Sequence, residues 1–329
     1  MRNLLLFMLL AAAAFIGGCT EGEAQLSVSD ETGRIDLERL GVRAVDIVRE
    51  GLVDENNFVK DRAIKVVSVT GRKELMPIVI QVLKEDAVAI RFAAIEAIGD
   101  MRYLAAQYSL RRLLNDTNEN IKIGAAYALT RLGKGDFSDI IRRSTKSKDQ
   151  VVRANAVMLL GKLGSKKNMQ LLYQTLRALD SDDKVKIRVV EALATLGDEK
   201  IYQSKCWPLL ISKYADDRIM GIKAMGQLGT VEAKNAIKTM LYDDIVEVRL
   251  YAASQLGVLG DTAGQDEVAV YLSQNLQNKD KWSVAGDTAV AAIGQIGTDA
   301  LAKLLPVFIN SRNKLIRLSA AQSVLLLTQ

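Results

Sequence analysis

Histidine is absent from all 329 residues. That absence removes the Ser-His and Cys-His nucleophilic systems, the histidine general base and the commonest zinc ligand sets. Cysteine occurs only at positions 19 and 206. Proline occurs three times and aromatic residues make up 5% of the chain. A chain with so little helix-breaking proline, rich in Ala, Leu, Ile and Val, leans towards an all-helical fold. No phosphate-binding loop and no G-x-G-x-x-G behind a strand can be found. Neither sign of charge dominates, with 44 basic against 39 acidic side chains. The carboxylate pairs Asp182-Asp183, Asp216-Asp217 and Asp243-Asp244 recur at turns, where helix capping explains them better than catalysis. No catalytic, cofactor-binding or metal-binding residue is assigned, and the chain reads as a non-enzyme.

What is present begins with MRNLLLFMLLAAAAFIGGCT. A basic start at Arg2, an apolar run from Leu4 to Ile16 and small residues before a cysteine describe a secretory signal peptide over 1–18. The run is short for a membrane span. The alternative is a short anchor that stays in place. Residues 19–35 are polar and aperiodic and read as a flexible tether. Cleavage before Cys19 would remove Arg2 and leave 43 basic against 39 acidic groups, a net charge of +4. Spread over about 300 residues, that is no footprint for nucleic acid.

From residue 36 to 329 the chain repeats itself. Aligning on a basic residue gives Lys60, Arg91, Lys122, Arg153, Lys186, Arg218, Arg249, Gly286 and Arg317, at steps of 31, 31, 31, 33, 32, 31, 37 and 31. A near-constant period of this length is the signature of a solenoid. Offsets −1, +3, +7 and +10 from the anchor are apolar or small and lie on one helical stripe. Offset +3 is alanine in seven of nine copies, and +8 is small in eight, which implies close helix crossings. Offset +11 is glycine in seven of nine copies, the place of a left-handed helix end. Between these helices lie second apolar segments such as MPIVIQVLKED and NMQLLYQTLRALD. The reading is nine helix pairs, the first helix within Asp36–Leu52 and the last over Leu315–Thr328. At roughly 10 Å between packed helices, nine pairs would form an arc on the order of 90 Å. The anchors are expected to reach turn acids such as Asp86, Asp149 and Asp244.

Two resemblances follow. Val152–Gly164 reads V-R-x-x-A-x-x-L-L-G-x-L-G, and Val248–Gly260 reads V-R-x-x-A-x-x-x-L-G-x-L-G. These repeats resemble the HEAT family, in the short bacterial form also found in phycobilisome-lyase-like proteins. The resemblance implies a right-handed α-solenoid over 36–329. Three departures stand out. The copy at Asp217–Gly229 lacks the leading aliphatic, the copy at Ala285–Gly297 lacks the basic anchor, and the 37-residue step carries about six extra residues near 261–285. Ile16-Gly17-Gly18-Cys19 resembles the lipobox of bacterial lipoproteins. It implies that Cys19 is acylated and becomes the mature N-terminus and membrane anchor. Thr20 in place of aspartate favours the periplasmic face of an outer membrane. Cys206 is then left alone, so no intramolecular disulfide forms, and it reads as a buried structural thiol rather than a nucleophile.

In HEAT-like solenoids the second helix of each pair lines the concave side. Offsets +2, +5 and +9 point away from the buried stripe. They place Arg62, Lys65, Glu96, Tyr127, Arg131, Asn155, Met158, Lys162, Arg188, Glu191, Lys223 and Tyr251 on a surface of mixed charge suited to a protein or peptide partner. Solvated surface is the competing reading for each. The leading expectation is a non-catalytic scaffold at the cell envelope, with no cofactor and no nucleic-acid partner. The alternatives are a phycobilin-lyase-like enzyme or chaperone and a nucleic-acid-binding HEAT-like protein. The final helix, SAAQSVLLLTQ, is apolar, and repeat ends normally need a polar face. It is therefore expected to be covered by a partner, a second copy or the membrane surface.

Overall fold

The computed structural model describes residues 36–329. The signal peptide over 1–18, Cys19 and the tether to residue 35 lie outside the described residues. Every regular element among the described residues is helical. In chain order the pairs are α1 (Leu37–Leu52) with α2 (Asn57–Thr70), α3 (Met76–Gln81) with α4 (Val88–Asp100), and α5 (Gln107–Leu113) with α6 (Glu119–Arg131). Next come α7 (Ser138–Ser144) with α8 (Gln150–Lys162), α9 (Met169–Arg177) with α10 (Asp183–Thr195), and α11 (Trp207–Leu210) with α12 (Ala215–Leu228). The last are α13 (Val231–Thr239) with α14 (Val246–Val258), α15 (Gln265–Gln274) with α16 (Val284–Ile296), and the split helix α17 (Asp299–Ala302) and α18 (Leu305–Ile309) with α19 (Lys314–Leu327).

The repeat residues build each unit in the way their spacing implies. Asn56, Asn118, Asp149, Asp182, Ser283 and Asn313 accept hydrogen bonds from the first free amides of the following second helix. At offset +7, all nine residues from Val67 to Val324 are completely buried. At offset +11, the seven glycines all adopt left-handed backbone, with φ between 66° and 74°. Arg102 holds the same offset in the second copy and is the only described non-glycine residue with positive φ, at 48°. The turn geometry is therefore dictated by the repeat, and glycine is the residue that meets it without strain.

Successive second helices pack directly on one another, while neighbouring first helices touch little. The small residue at offset +8 makes this possible. A Cβ on Gly161 would stand 2.9 Å from the Cα of Ala192 on the next helix, and one on Gly257 would stand 2.7 Å from the backbone of Gln295. The anchors tie the same layers together through the turns. Lys60 reaches Glu85 at 2.6 Å, Arg91 pairs with Asp116, and Arg153 reaches Asp180 at 2.8 Å. Arg218 donates to Asp243 at 2.8 Å and Asp244 at 3.0 Å, and Arg249 reaches Glu267 at 2.6 Å. The expected partners are thus corrected in part. Asp244 is one, but Lys60 takes Glu85 in place of Asp86, and Asp149 caps α8. The anchor reaches the acid that lies one helix pair further on, because its side chain spans the gap between layers and not the turn before it.

The solenoid closes on itself. α19 packs against α16 on one side and against both α1 and α2 on the other. Gly51 on α1 lets Leu318 of α19 approach, so that a Cβ there would meet the leucine at 3.1 Å. Across this seam Arg62 donates to Ser319 at 2.8 Å, Arg72 to Thr328 at 3.0 Å, Lys314 to Asp54 at 2.5 Å and Gln329 to the carbonyl of Thr70 at 2.7 Å. One apolar cluster runs from Leu40 to Leu132 and from Leu250 to Leu325 without a break at the seam. This corrects two expectations. The open arc is a ring, with nine pairs turning about 40° each. The apolar face of α19 is covered by the first repeat of the same chain, so residues 36–329 form a self-contained body and that face needs no second copy, partner or membrane.

Two tests follow from this architecture. Gly164 has open space around its missing Cβ, so Gly164→Ala should cost only the conformational penalty, roughly 1 kcal/mol. Gly161→Ala should lose more, despite alanine's better helix propensity, because overpacking costs typically 1–3 kcal/mol. Arg102→Gly should gain stability, by about 0.5–1 kcal/mol once the freer unfolded chain is allowed for. Denaturant midpoints of the three variants check the order. The second test concerns Asp243. Burial opposes its charge, but hydrogen bonds from Arg218 and the Ile245 amide outweigh burial and hold its carboxyl below the model value of 3.8. A lowered folded value contributes stability above the unfolded pKa and loses it as pH falls. Asp243→Asn should therefore lower stability at pH 7 by roughly 1–3 kcal/mol. The gap to the wild type should close as the pH drops below 3.8.

Candidate inner-face site

The second helices form the inner layer of the ring, and their polar side chains converge there. Eight of the twelve residues expected on the concave face line one cavity of about 420 Å³: Glu96, Tyr127, Arg131, Met158, Lys162, Arg188, Glu191 and Lys223. Four do not. Arg62 is held at the seam by Ser319 and lies 3.6 Å from Asp287. Lys65 pairs with Asp61 on its own helix, and Asn155 donates to Asn120 at 2.9 Å. Tyr251 is half-buried near Glu191 and Arg188, and burial pushes its phenol up to about 12.

Tyr127 needs correction as an exposed contact residue. It is completely buried. Its ring lies over Gly99 of the preceding second helix, where a Cβ would approach it to 2.7 Å. Its hydroxyl donates to Asp100. The small residue at offset +8 thus makes room for the neighbouring tyrosine, which forms part of the cavity floor. Sequence reasoning also passed over Asp100, Thr195 and Gln227, which line the same cavity. All three stand at offset +9, the offset that singles out Arg131 and Lys162, so the signal was there to be used.

The charges in the cavity are mostly satisfied by one another. Lys162 reaches Glu96 and Asp100, each at 2.6 Å, and its ammonium lies 5.8 Å from the centre of the Tyr127 ring. Burial opposes the lysine's charge, but the two carboxylates overcome it and raise its pKa. Arg188 reaches Glu191 at 2.6 Å, and Lys223 reaches the same carboxylate at 3.0 Å. Thr195 donates to Gln227. Arg131 is left over. It makes no ion pair among the described residues, and its Nε is buried without a hydrogen-bond partner. A buried unsatisfied donor costs roughly 1–3 kcal/mol, which an incoming acceptor would recover.

This arrangement can bind and orient. Among the described residues no group of three or more His, Cys, Asp or Glu is placed to hold a metal ion. The paired aspartates go to structural bonds: Asp182 caps α10, Asp217 accepts from Ser212 at 2.7 Å, and Asp243 takes Arg218. Cys206 is buried, and burial pushes its thiol up to about 12, well away from a reactive thiolate. No described helix is long and apolar enough to cross a membrane.

Known proteins place the repeat. The family model for HEAT repeats matches residues 45–130, 76–149 and 137–204. No curated protein matches the chain. Among solved structures, the CpcE–CpcF complex of phycocyanin lyase from Nostoc sp. PCC7120 is 20% identical, covering 67% of this chain and 93% of that one, at a TM-score of 0.41. Human deoxyhypusine hydroxylase is 16% identical over 87% of this chain and 97% of its own, at 0.35. Kap121p bound to Nup53p is 14% identical over 84% of this chain and 36% of its own, also at 0.35.

Lys162 is the strut of the inner face. Lys162→Met should leave two carboxylates facing each other above a buried phenol. An unfolding titration at pH 7 should then show a loss of roughly 1–3 kcal/mol. A loss smaller than 0.5 kcal/mol would mean that the cluster is solvated surface.

Proposed function

We propose, from the premise that this chain is a stack of HEAT repeats, that it is a non-catalytic scaffold held at a bacterial envelope by a lipid on Cys19. The partner is a protein segment that places a carboxylate against Arg131 on the inner face of the ring. The carrying observation is the charge pattern of the cavity. Its three acids are taken by three of its four cations, leaving Arg131 as the surplus donor. A binding surface of this kind is specific through geometry and charge, not through apolar area. A surplus of one charge offers little to a polyphosphate backbone, which binds through many released counterions.

The anchored position rests on the Ile16–Cys19 motif. One acyl chain gives only marginal attachment, whereas several on one residue hold firmly. The periplasmic face of an outer membrane is the proposed site.

Crosslinking of intact envelopes followed by affinity capture of the full-length protein tests both parts. The wild type should yield a defined protein crosslinked near Arg131, and Arg131→Glu should lose it while keeping the same melting curve. The same partner captured by both proteins would overturn the inner-face assignment. Cys19→Ala should lose incorporated fatty-acid label and leave the membrane fraction. An unlabelled wild type in the soluble fraction would overturn the anchor.

A further inference from the structure

The single anchor position without a side chain opens a second cavity. Elsewhere the anchor arginine fills the space between two layers by reaching back to a turn carbonyl and forward to an acid. Arg153 donates to the carbonyl of Ser147 at 2.7 Å and to Asp180 at 2.8 Å. Arg317 donates to the carbonyl of Ser311 at 2.9 Å. On α16 the anchor is Gly286, and the residue twenty-five positions later, where Arg218 finds Asp243, is Ser311. Ser311 turns away and donates to the carbonyl of Lys279 at 2.9 Å and to Asp280 at 3.0 Å. Cation and acid are therefore missing together.

The vacated space is a cavity of about 370 Å³. That lies at the lower end of the usual small-ligand range, about 300–1,000 Å³. Its floor is the buried side chains of Leu272, Val290, Phe308 and Ile316. Tyr271 forms a wall, with its hydroxyl 4.0 Å from where a Cβ on Gly286 would stand. That hydroxyl has no hydrogen-bond partner among the described residues. The extra residues of the 37-residue step supply the mouth, where Trp282 is 49% exposed beside Lys279 and Lys281. Neither lysine makes an ion pair among the described residues. The neighbouring Asp280 carboxylate is engaged by the Ser311 hydroxyl and by the Arg312 amide at 2.7 Å. The cavity is therefore apolar at its closed end, aromatic at its walls and positive at its mouth.

We propose that this cavity binds a small amphipathic organic anion. A flat aromatic or short aliphatic body would sit on the apolar floor against Trp282 and Tyr271, and a carboxylate or sulfonate would face Lys279 and Lys281. The site is separate from the inner-face cavity and does not depend on the scaffold reading.

Calorimetric titration of residues 36–329 with 2-naphthoate tests it, with the neutral 2-naphthalenemethanol as control. The wild type should bind the carboxylate, and the alcohol should bind several-fold more weakly. Lys279→Gln with Lys281→Gln should weaken naphthoate by about three- to tenfold, the range of exposed charge contacts. Gly286→Arg restores the repeat's own anchor and fills the cavity. The nearest obstacle to its Cβ is the Ser283 hydroxyl at 3.0 Å, a small side chain able to turn aside. It should abolish binding with an unchanged or higher melting temperature. Should that variant fail to fold, Trp282→Ala, at the exposed mouth, should still weaken binding. No binding by the wild type, equal binding of the alcohol, or full binding by folded Gly286→Arg would overturn the proposal.

Discussion

The close crossing of successive second helices is the contact on which the rest depends. At offset +8 of one helix a glycine or other small residue lets the neighbour's backbone come within van der Waals reach, as at Gly161 over Ala192 and Gly257 over Gln295. The first helices have no such contact and splay apart. Inner spacing shorter than outer spacing is curvature, and it accumulates because each pair touches mainly its neighbours. Over nine pairs it completes a turn. The stripe of α1 and α2 then meets the stripe of α19, and an apolar surface that would be exposed in an open stack is buried within one chain. Burial in this way carries no loss of translational freedom, unlike the same burial between two molecules.

Closure changes what the concave face is. In an open arc, residues at offsets +2, +5 and +9 look out on solvent across a wide bowl. In a ring they look at one another, and long side chains meet across two repeats, as Lys162 does with Glu96 and Asp100. Such charges are partly removed from water and need partners, so the inner face neutralises itself. What it leaves over is small and local, the guanidinium of Arg131. A partner is therefore recognised at a point, by one group of the right charge in the right place.

Much of this was legible in the sequence, because the period reports helix faces directly. The residues at −1, +3, +7 and +10 were read as a buried stripe, and Val67 through Val324 at +7 are completely buried. The glycines at +11 were read as left-handed helix ends and are so, with Arg102 held in the same backbone region by the repeat around it. Closure was not legible. It depends on the angle between pairs, which is fixed by tenths of an ångström at contacts such as Gly51 with Leu318, and residue type alone does not encode it. Tyr127 was misplaced for a related reason. Offset +5 points inward, but whether a side chain there is exposed depends on what the previous helix carries at +8, and beside Gly99 the tyrosine sinks. The inner-face residues were found by direction from the helix axis, while their pairing required the ring.

A repeat also makes its exceptions informative. Where a position recurs eight times as arginine or lysine, its physical task can be read from the copies that keep it: to fill the gap between layers and tie two turns together. Gly286 abandons that task, and Ser311 abandons the matching acid. Random loss of the cation alone would strand a carboxylate in a partly buried place, at a cost of several kcal/mol. Loss of both leaves no stranded charge and a cavity with an apolar floor. The chain around it adds an aromatic residue and two lysines at the opening instead of closing it. An accidental defect in a stack would be expected to collapse, since packed interiors close small voids where side chains can relax. This one is held open by the seal that Ser311 and Asp280 make between the two turns beside it, so the exception is supported by its own bonds.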